Sequence, residues 1–265
     1  SVTPKLKTYA GFTVPEVQEV IIKGDGSTVV RYEYTRNTYT ITFAVNGGEM
    51  EADAAITALY GSPITLPTPV RDGYGFTGWY ADGTLFTEAA MPADNVTLTA
   101  GWAAGKYSYT VNHYLQNLED PEQYTLVDSE PGVSDMDSEV TPARKQYTGF
   151  ETPEKEQTIT IGSDGAKNVV SYYYTRKQYQ LVWNLAGGKA PAGYTVGSVL
   201  YEAPIIVPVP EKTGYSYTWD ATPELKMPAN DLTYTAKWTA NQYQVRFDVN
   251  GGTVESNSDI TGKIV

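Results

Sequence analysis

Along residues 38–45, Thr-Tyr-Thr-Ile-Thr-Phe-Ala-Val, the large residues Tyr39, Ile41, Phe43 and Val45 fall at every second position. That period predicts a strand with one buried face. The run ends in Gly47-Gly48, where glycine supplies the positive φ angles of a turn because it has no Cβ to clash. Asp25-Gly26 and Asp164-Gly165 lie between Val- or Ile-rich stretches, as hairpin turns do. The clusters Pro63, Pro67, Pro69 and Pro204, Pro208, Pro210 have no ladder donor to offer, so they read as extended connections instead of central strands.

These elements recur. One repeat type shows as Val2-Thr3-Pro4, Tyr9, Gly11-Phe12, Asp25-Gly26, Val29-Val30 and Tyr32 to Arg36 (YEYTR). It returns as Val140-Thr141-Pro142, Tyr147, Gly149-Phe150, Asp164-Gly165, Val169-Val170 and Tyr172 to Arg176 (YYYTR). A second type opens with TYTITFAVNGG at Thr38, QYQLVWNLAGG at Gln178 and QYQVRFDVNGG at Gln242. Its complete copies pass through the proline clusters to Gly73-Tyr74 or Gly214-Tyr215, then to Trp79 or Trp219. They close with Met91-Pro92-Ala93 or Met227-Pro228-Ala229 and a last stretch ending at Trp102 or Trp238.

The second type resembles the internalin B-type repeat, also called the Listeria-Bacteroides repeat. The copy from Asn37 fits nearly throughout, reading Gly73-Tyr74-Gly75-Phe76-Thr77-Gly78-Trp79-Tyr80, whereas the later copy reads Gly214-Tyr215-Ser216-Tyr217-Thr218-Trp219 and drops one glycine. The first type resembles the mucin-binding-protein-like (MucBP-like) repeats of bacterial surface proteins. On these resemblances residues 1–36 are the C-terminal half of a MucBP-like module, 37–106 an internalin B-type repeat, 107–176 a MucBP-like module, 177–240 an internalin B-type repeat and 241–265 the start of another. Because both ends fall inside repeats, the sequence reads as part of a longer protein.

The implied fold class is a β-rich α+β arrangement: tandem small β-grasp-like (ubiquitin-like) modules in an elongated array, each a small mixed sheet crossed by one short helix. Met50 to Leu59, rich in alanine, is the best place for that helix in the first copy, and an extended loop is the alternative. Modules of this size must rely on large aromatics for a core. Burying one Trp or Tyr removes on the order of 150–250 Å² from water, roughly 4–6 kcal/mol before entropy is subtracted. Tyr39, Phe43, Tyr74, Phe76, Trp79 and Trp102 are assigned to one core, and Tyr179, Trp183, Tyr215, Trp219 and Trp238 to another.

Composition adds restraint on function. A net charge of -12 and a pI near 4.5 repel polyphosphates and anionic membranes, so neither nucleic acid nor a membrane is an expected partner of these residues. With no cysteine, disulfides and thiolate chemistry are excluded. His113 is the sole histidine and lies in a strand-like run, which favours an ordinary strand residue over a triad base. Glu119, Asp120 and Glu122, and Asp135, Asp137 and Glu139, lack the spacing of a calcium loop and read as solvated acidic loops. No cofactor or metal is expected, and no catalytic residue is assigned.

The tyrosines remain. Tyr32, Tyr34, Tyr172, Tyr173 and Tyr174 put rings on both faces of a strand, so some are outside. They either pack within and between modules, the favoured role, or stack on a sugar or protein partner. The expected function is a structural stalk or spacer of a secreted or cell-surface bacterial protein, extracellular and not an enzyme. The alternative is an adhesin module binding host glycan or surface protein through exposed Tyr-rich strands, with neighbouring copies of the same chain as a further kind of partner.

Overall fold

A computed structural model describes residues 1–51, 53–192, 194, 196–243 and 250–252. The chain divides into two compact units: Ser1–Thr110 with Pro131–Thr141 and Thr158–Val169, and Val111–Glu130 with Pro142–Gln157 and Val170–Val265.

In the first unit, β1 (Phe12–Thr13) pairs antiparallel with β2 (Thr35–Arg36). A five-stranded sheet follows from β3 (Thr38–Ala44), β4 (Ala55–Leu59), β5 (Tyr74–Ala81), β6 (Thr84–Leu85) and β7 (Val96–Ala104), in the order β4-β3-β7-β5-β6. Only β3 and β7 run parallel, with Phe43 opposite Leu98. The alternation of β3 puts Ile41 and Phe43 into a core with Trp79, Met91, Leu98 and Ala100, against which Tyr39, Phe76 and Trp102 also pack.

β8 (Lys106–Gln116), β9 (Tyr124–Asp135), β10 (Glu139–Val140), β11 (Ile159–Thr160) and β12 (Val169–Tyr174) follow. They give a sheet of order β12-β8-β9 and the antiparallel pair β10-β11, and their residues are divided between the two units. In the second unit, β13 (Gln178–Asn184), β14 (Gly197–Leu200), β15 (Tyr215–Trp219) and β16 (Leu232–Ala240) form a sheet of order β14-β13-β16-β15. It repeats the topology of the first sheet: β13 and β16 are parallel, with Trp183 opposite Tyr234. Leu181, Trp183, Ile205, Met227 and Tyr234 are its buried core, with Tyr179 and Trp219 packed against it.

The expected α+β class is corrected, because no helix is present among the described residues and every sheet is built of strands alone. The alanine-rich stretch named as a helix is β4: Ile56 and Ala58 face inward in alternation with exposed Ala55, Thr57 and Leu59, and Thr38 to Thr42 of β3 pair with it residue by residue. Helix propensity is a weak prior, and here period-two burial beside a ready strand outweighs it. Ala52, part of the same stretch, lies outside the described residues, as do residues 244–249 and 253–265 of the third repeat opening.

Three core assignments also change. Tyr74 and Tyr215 are not core residues. Each ends a turn in which its N–H donates to the carbonyl of Arg71 or Lys212, and that same cation lies over its ring, 3.7 Å and 4.5 Å from the centroids. Trp238 is half-buried at the rim, where its Nε1–H donates to Leu185 O over 2.9 Å, just as Trp102 donates to Val45 O over 3.1 Å.

The missing glycine of the later copy has a structural counterpart. β5 carries a bulge between Phe76 and Gly78, and Gly78 has φ 133°. β15 runs from Tyr215 to Trp219 opposite Ala240 to Ala236 without interruption. Both routes bring a Trp opposite an Ala, Trp79 to Ala100 and Trp219 to Ala236, so the bulge residue accounts for the difference in length.

Candidate functional site

The tyrosines of the YEYTR and YYYTR segments fall into two groups. Tyr172 and Tyr174 alternate with Tyr173 along β12, which sends the outer two to one face and the middle one to the other. Tyr172 and Tyr174 are fully buried. The Tyr172 hydroxyl donates to Pro142 O over 2.6 Å and accepts the Gln157 N–H at 3.1 Å; the Tyr174 hydroxyl accepts the Lys145 N–H at 2.9 Å. The earlier copy repeats this arrangement. Tyr34 donates to Lys7 O and accepts Lys7 N–H, while Tyr32 donates to Pro4 O and accepts Gln18 N–H. These four hydroxyls therefore tie a tyrosine-bearing segment to the extended chain beside it, and both Tyr32 and Tyr34 are half-buried.

His113 of β8 sits beneath this ladder with no exposed surface. Its Nδ1 lies 2.9 Å from the Tyr174 hydroxyl, and its ring stacks on Tyr172 at 5.8 Å between centroids. The same hydroxyl accepts the Lys145 N–H, which leaves its own proton available to Nδ1. Nε2 has no hydrogen-bond partner but faces Glu130 Oε2 at 3.7 Å. Lys145 Nζ pairs with Asp128 and with Glu130, the latter at 2.5 Å. Hydrogen bonding to these two carboxylates holds the Lys145 ammonium well above its ordinary range, and the same ammonium lowers Asp128. Desolvation raises the hydroxyls of Tyr174 and Tyr147. These ion pairs and hydrogen bonds tie β8, β9, β12 and the segment at Lys145 to one another.

Tyr173 differs from its neighbours. It is 51% exposed, stacks on Tyr114 with centroids 4.9 Å apart and planes 15° from parallel, and meets Tyr124 edge-on at 5.3 Å. Three tyrosines thus make a small aromatic surface on the side of the sheet opposite His113. In the earlier copy the position of Tyr173 is Glu33. Tyr114 and Tyr124 were not singled out from the sequence. The period of β8 places Tyr114 opposite in parity to buried Val111 and His113, a legible signal, whereas Tyr124 joins only through strand pairing.

The acidic sets have separate partners. Asp135 pairs with Lys106 at 2.8 Å, Asp137 accepts the Tyr74 hydroxyl at 2.7 Å, and Glu139 lies in β10 opposite Thr160. Asp120 accepts the N–H of Glu122 in a turn. Among the described residues no three His, Asp or Glu side chains converge as a metal site requires.

A second constellation occurs twice. Gly11 at φ 82° and Gly149 at φ 79° lie so close to Tyr60 and Tyr201 that a Cβ would come within 2.2 Å and 2.3 Å of a ring atom. The following Phe12 and Phe150 meet those tyrosines edge-on at 5.7 Å and 5.8 Å. Arg36 and Arg176 then donate to Tyr60 O and Tyr201 O. The two junctions at which the first repeat type passes into the second are thus closed by the same Gly-Phe, Arg and Tyr set.

These features are those of a protein built from interlocked β repeats. Residues 39–101, the first complete sheet, match the Listeria-Bacteroides repeat domain. The chain is 30% identical over 244 residues to a protein of Evansella cellulosilytica provisionally named a membrane protein, covering 81% of this chain and 34% of that protein. It is 29% identical over 249 residues to a provisionally named Gly-rich membrane protein of the same organism, covering 84% and 27%. It is also 33% identical over 160 residues to Internalin H of Listeria monocytogenes, covering 58% and 23%. The chain thus spans about a third or less of the length of each relative.

Proposed function

We propose that this chain is a spacer of a bacterial surface protein, extracellular, whose repeats project or support another functional part and carry out no catalysis. The observation behind this reading is the duplicated junction, Gly11, Phe12, Arg36 and Tyr60 in one place and Gly149, Phe150, Arg176 and Tyr201 in the other. What recurs is a mechanical join. Its contacts are ring packing and hydrogen bonds to backbone carbonyls. Similarity to Internalin H and to proteins with membrane-protein names supports a place at the cell surface. The looser resemblance of residues 107–176 to MucBP-like repeats belongs to the same reading.

A second reading rests on Tyr173, Tyr114 and Tyr124. An exposed aromatic surface of this kind can stack on a host glycan or anchor a surface protein. One experiment separates the two. In the protein that carries this chain, residues 1–265 are deleted, or replaced by an unrelated folded run of similar length. A spacer predicts that deletion impairs the remainder's reach at the cell surface and that replacement restores it. Failure of the replacement, together with binding of a glycan array or host-cell extract by the isolated chain that Tyr173→Ala abolishes, would establish the adhesin reading instead.

A further inference from the structure

The sheet of residues 38–104 carries a groove on the face turned away from its core. Along β7, Leu98 and Ala100 point into the core, so Thr97, Thr99 and Gly101 lie on the outer face. Trp79 is a core residue, so its neighbour Tyr80, opposite Thr99, is on the outer face as well. The Tyr80 ring rests on Gly101, where a Cβ would come within 2.3 Å of it. The chain then turns back through Asp82 at φ 48° and Gly83 at φ 79°, a two-residue hairpin loop closed by Ala81 opposite Thr84. Tyr80, Asp82, Gly83, Thr97, Thr99 and Gly101 line an open groove of about 500 Å³. Among the described residues the Asp82 carboxylate and the hydroxyls of Thr97 and Thr99 have no hydrogen-bond or ion-pair partner, and no cation borders the groove. In the second complete sheet Asp220 follows Trp219 where Tyr80 follows Trp79, and Lys237 follows Ala236 where Gly101 follows Ala100. Asp220 is engaged with β16: its N–H donates to Thr235 O and its carboxylate accepts the Thr235 N–H. The sheet therefore forms without the ring, without the glycine beneath it and without the hairpin of β6. Their convergence beside Thr97 and Thr99 is free to serve something other than folding.

We infer that this groove binds an uncharged saccharide. A sugar has an apolar C–H face and a rim of hydroxyls. The Tyr80 ring takes the face, the Asp82 carboxylate accepts charge-assisted hydrogen bonds from the rim, and Thr97 and Thr99 donate or accept as the hydroxyls require. Other ligand classes fit the same residues poorly. An anion would meet Asp82 with no cation to offset it, and a metal ion would find one carboxylate where several ligands are needed. A wholly apolar ligand would leave the carboxylate and both hydroxyls covered and unpaired. The volume lies within the range of about 300–1,000 Å³ of small-ligand sites. The inference does not depend on the spacer reading, and it does not involve Tyr173.

The test titrates the full chain with lactose, maltotriose and chitotriose, which present a galactoside, a glucoside and an N-acetylglucosaminide, and follows backbone amide resonances. At least one sugar should give saturable shifts at Gly83, Thr99 and Gly101, and the sugar that does so names the ligand's class of unit. Asp82→Asn keeps a residue suited to positive φ and removes the charge, so it should weaken binding by about tenfold. Tyr80→Asp and Gly101→Lys install the residues with which the second sheet folds. Each should abolish the shifts while leaving tryptophan fluorescence, which reports Trp79 on the core face, unchanged. Tyr173→Ala should leave the titration as it was. The inference is overturned if none of the three sugars shifts these resonances at about 20 mM, well above the roughly 1 mM constant of a weak ligand. It is equally overturned if the shifts persist in both Tyr80→Asp and Gly101→Lys, or if the responding residues lie around Tyr173 instead.

Discussion

At single residues, the repeats show what each position is for by what changes between copies. The turn after β3 has φ 48° at Asn46 and 84° at Gly47, with Gly48 N–H returning to Val45 O over 3.0 Å, the geometry of a type I′ turn. Gly48 was read from the sequence as a conformational glycine. Its requirement is space, since a Cβ there would come within 2.4 Å of the Trp102 ring, and a single sequence does not distinguish the two needs. In the later copy Ala186 takes the Asn46 position at φ 48°, a conformation that costs an ordinary L-residue roughly 1 kcal/mol. Ala186→Asn should therefore stabilise the second unit by about 0.5–1 kcal/mol in chemical denaturation; an unchanged or lower midpoint would refute the argument. The paired tryptophans offer a converse case. Trp79 Nε1–H donates to Pro67 O over 2.8 Å, while Trp219 Nε1 is buried with no hydrogen-bond partner. Both Trp→Phe changes lose packing, but only Trp79→Phe also breaks a bond, so it should destabilise more than Trp219→Phe by about 1 kcal/mol.

At the level of strands and turns, much was legible because the signal is periodic. The parity of Tyr39, Ile41 and Phe43 is legible before any coordinates, whereas the turns at Asp25 and Asp164 exist but do not close the expected hairpins: no strand flanks Asp25, and β11 and β12 on either side of Asp164 pair with β10 and β8 instead of with each other. What failed was the Met50 to Leu59 stretch, where composition spoke for helix and the deciding fact was a long-range pairing to β3 that no local window contains. Tyr74 and Tyr215 were misplaced for a related reason. Aromatic character suggested a core, but the turn preceding each one delivers a cation onto its ring. The tyrosine candidates were legible as residues but not as roles, because burial of Tyr172 and exposure of Tyr173 depend on β8, more than fifty residues earlier in the sequence. The junction makes its own prediction. Gly149→Ala must accommodate a Cβ 2.3 Å from a Tyr201 ring atom at a left-handed φ, and should destabilise the second unit by about 1–3 kcal/mol, while Gly187→Ala, with open space at a similar φ, should cost only the backbone strain of about 1 kcal/mol. Equal losses from the two variants would mean that the Gly149 to Tyr201 approach is not a real constraint.

For the molecule as a whole, charge and exposed apolar surface act in opposition. The net charge of -12 favours separate molecules at neutral pH through mutual repulsion, whereas Ile21, Ile22 and Val29 leave apolar side chains 81%, 59% and 87% exposed within one short segment. As pH falls toward the pI near 4.5, carboxylates take up protons and the repulsion vanishes, but the apolar segment is unaffected by pH. Self-association measured by sedimentation velocity should therefore rise between pH 7 and pH 5 and should rise again when salt screens the remaining charge at pH 7. Ile21→Lys with Ile22→Lys should suppress both responses, because the substitutions remove the attractive surface while making the charge only slightly less negative. If the double variant associates as the native chain does, attraction resides elsewhere, and the exposed segment of residues 1–36 has no part in holding molecules together.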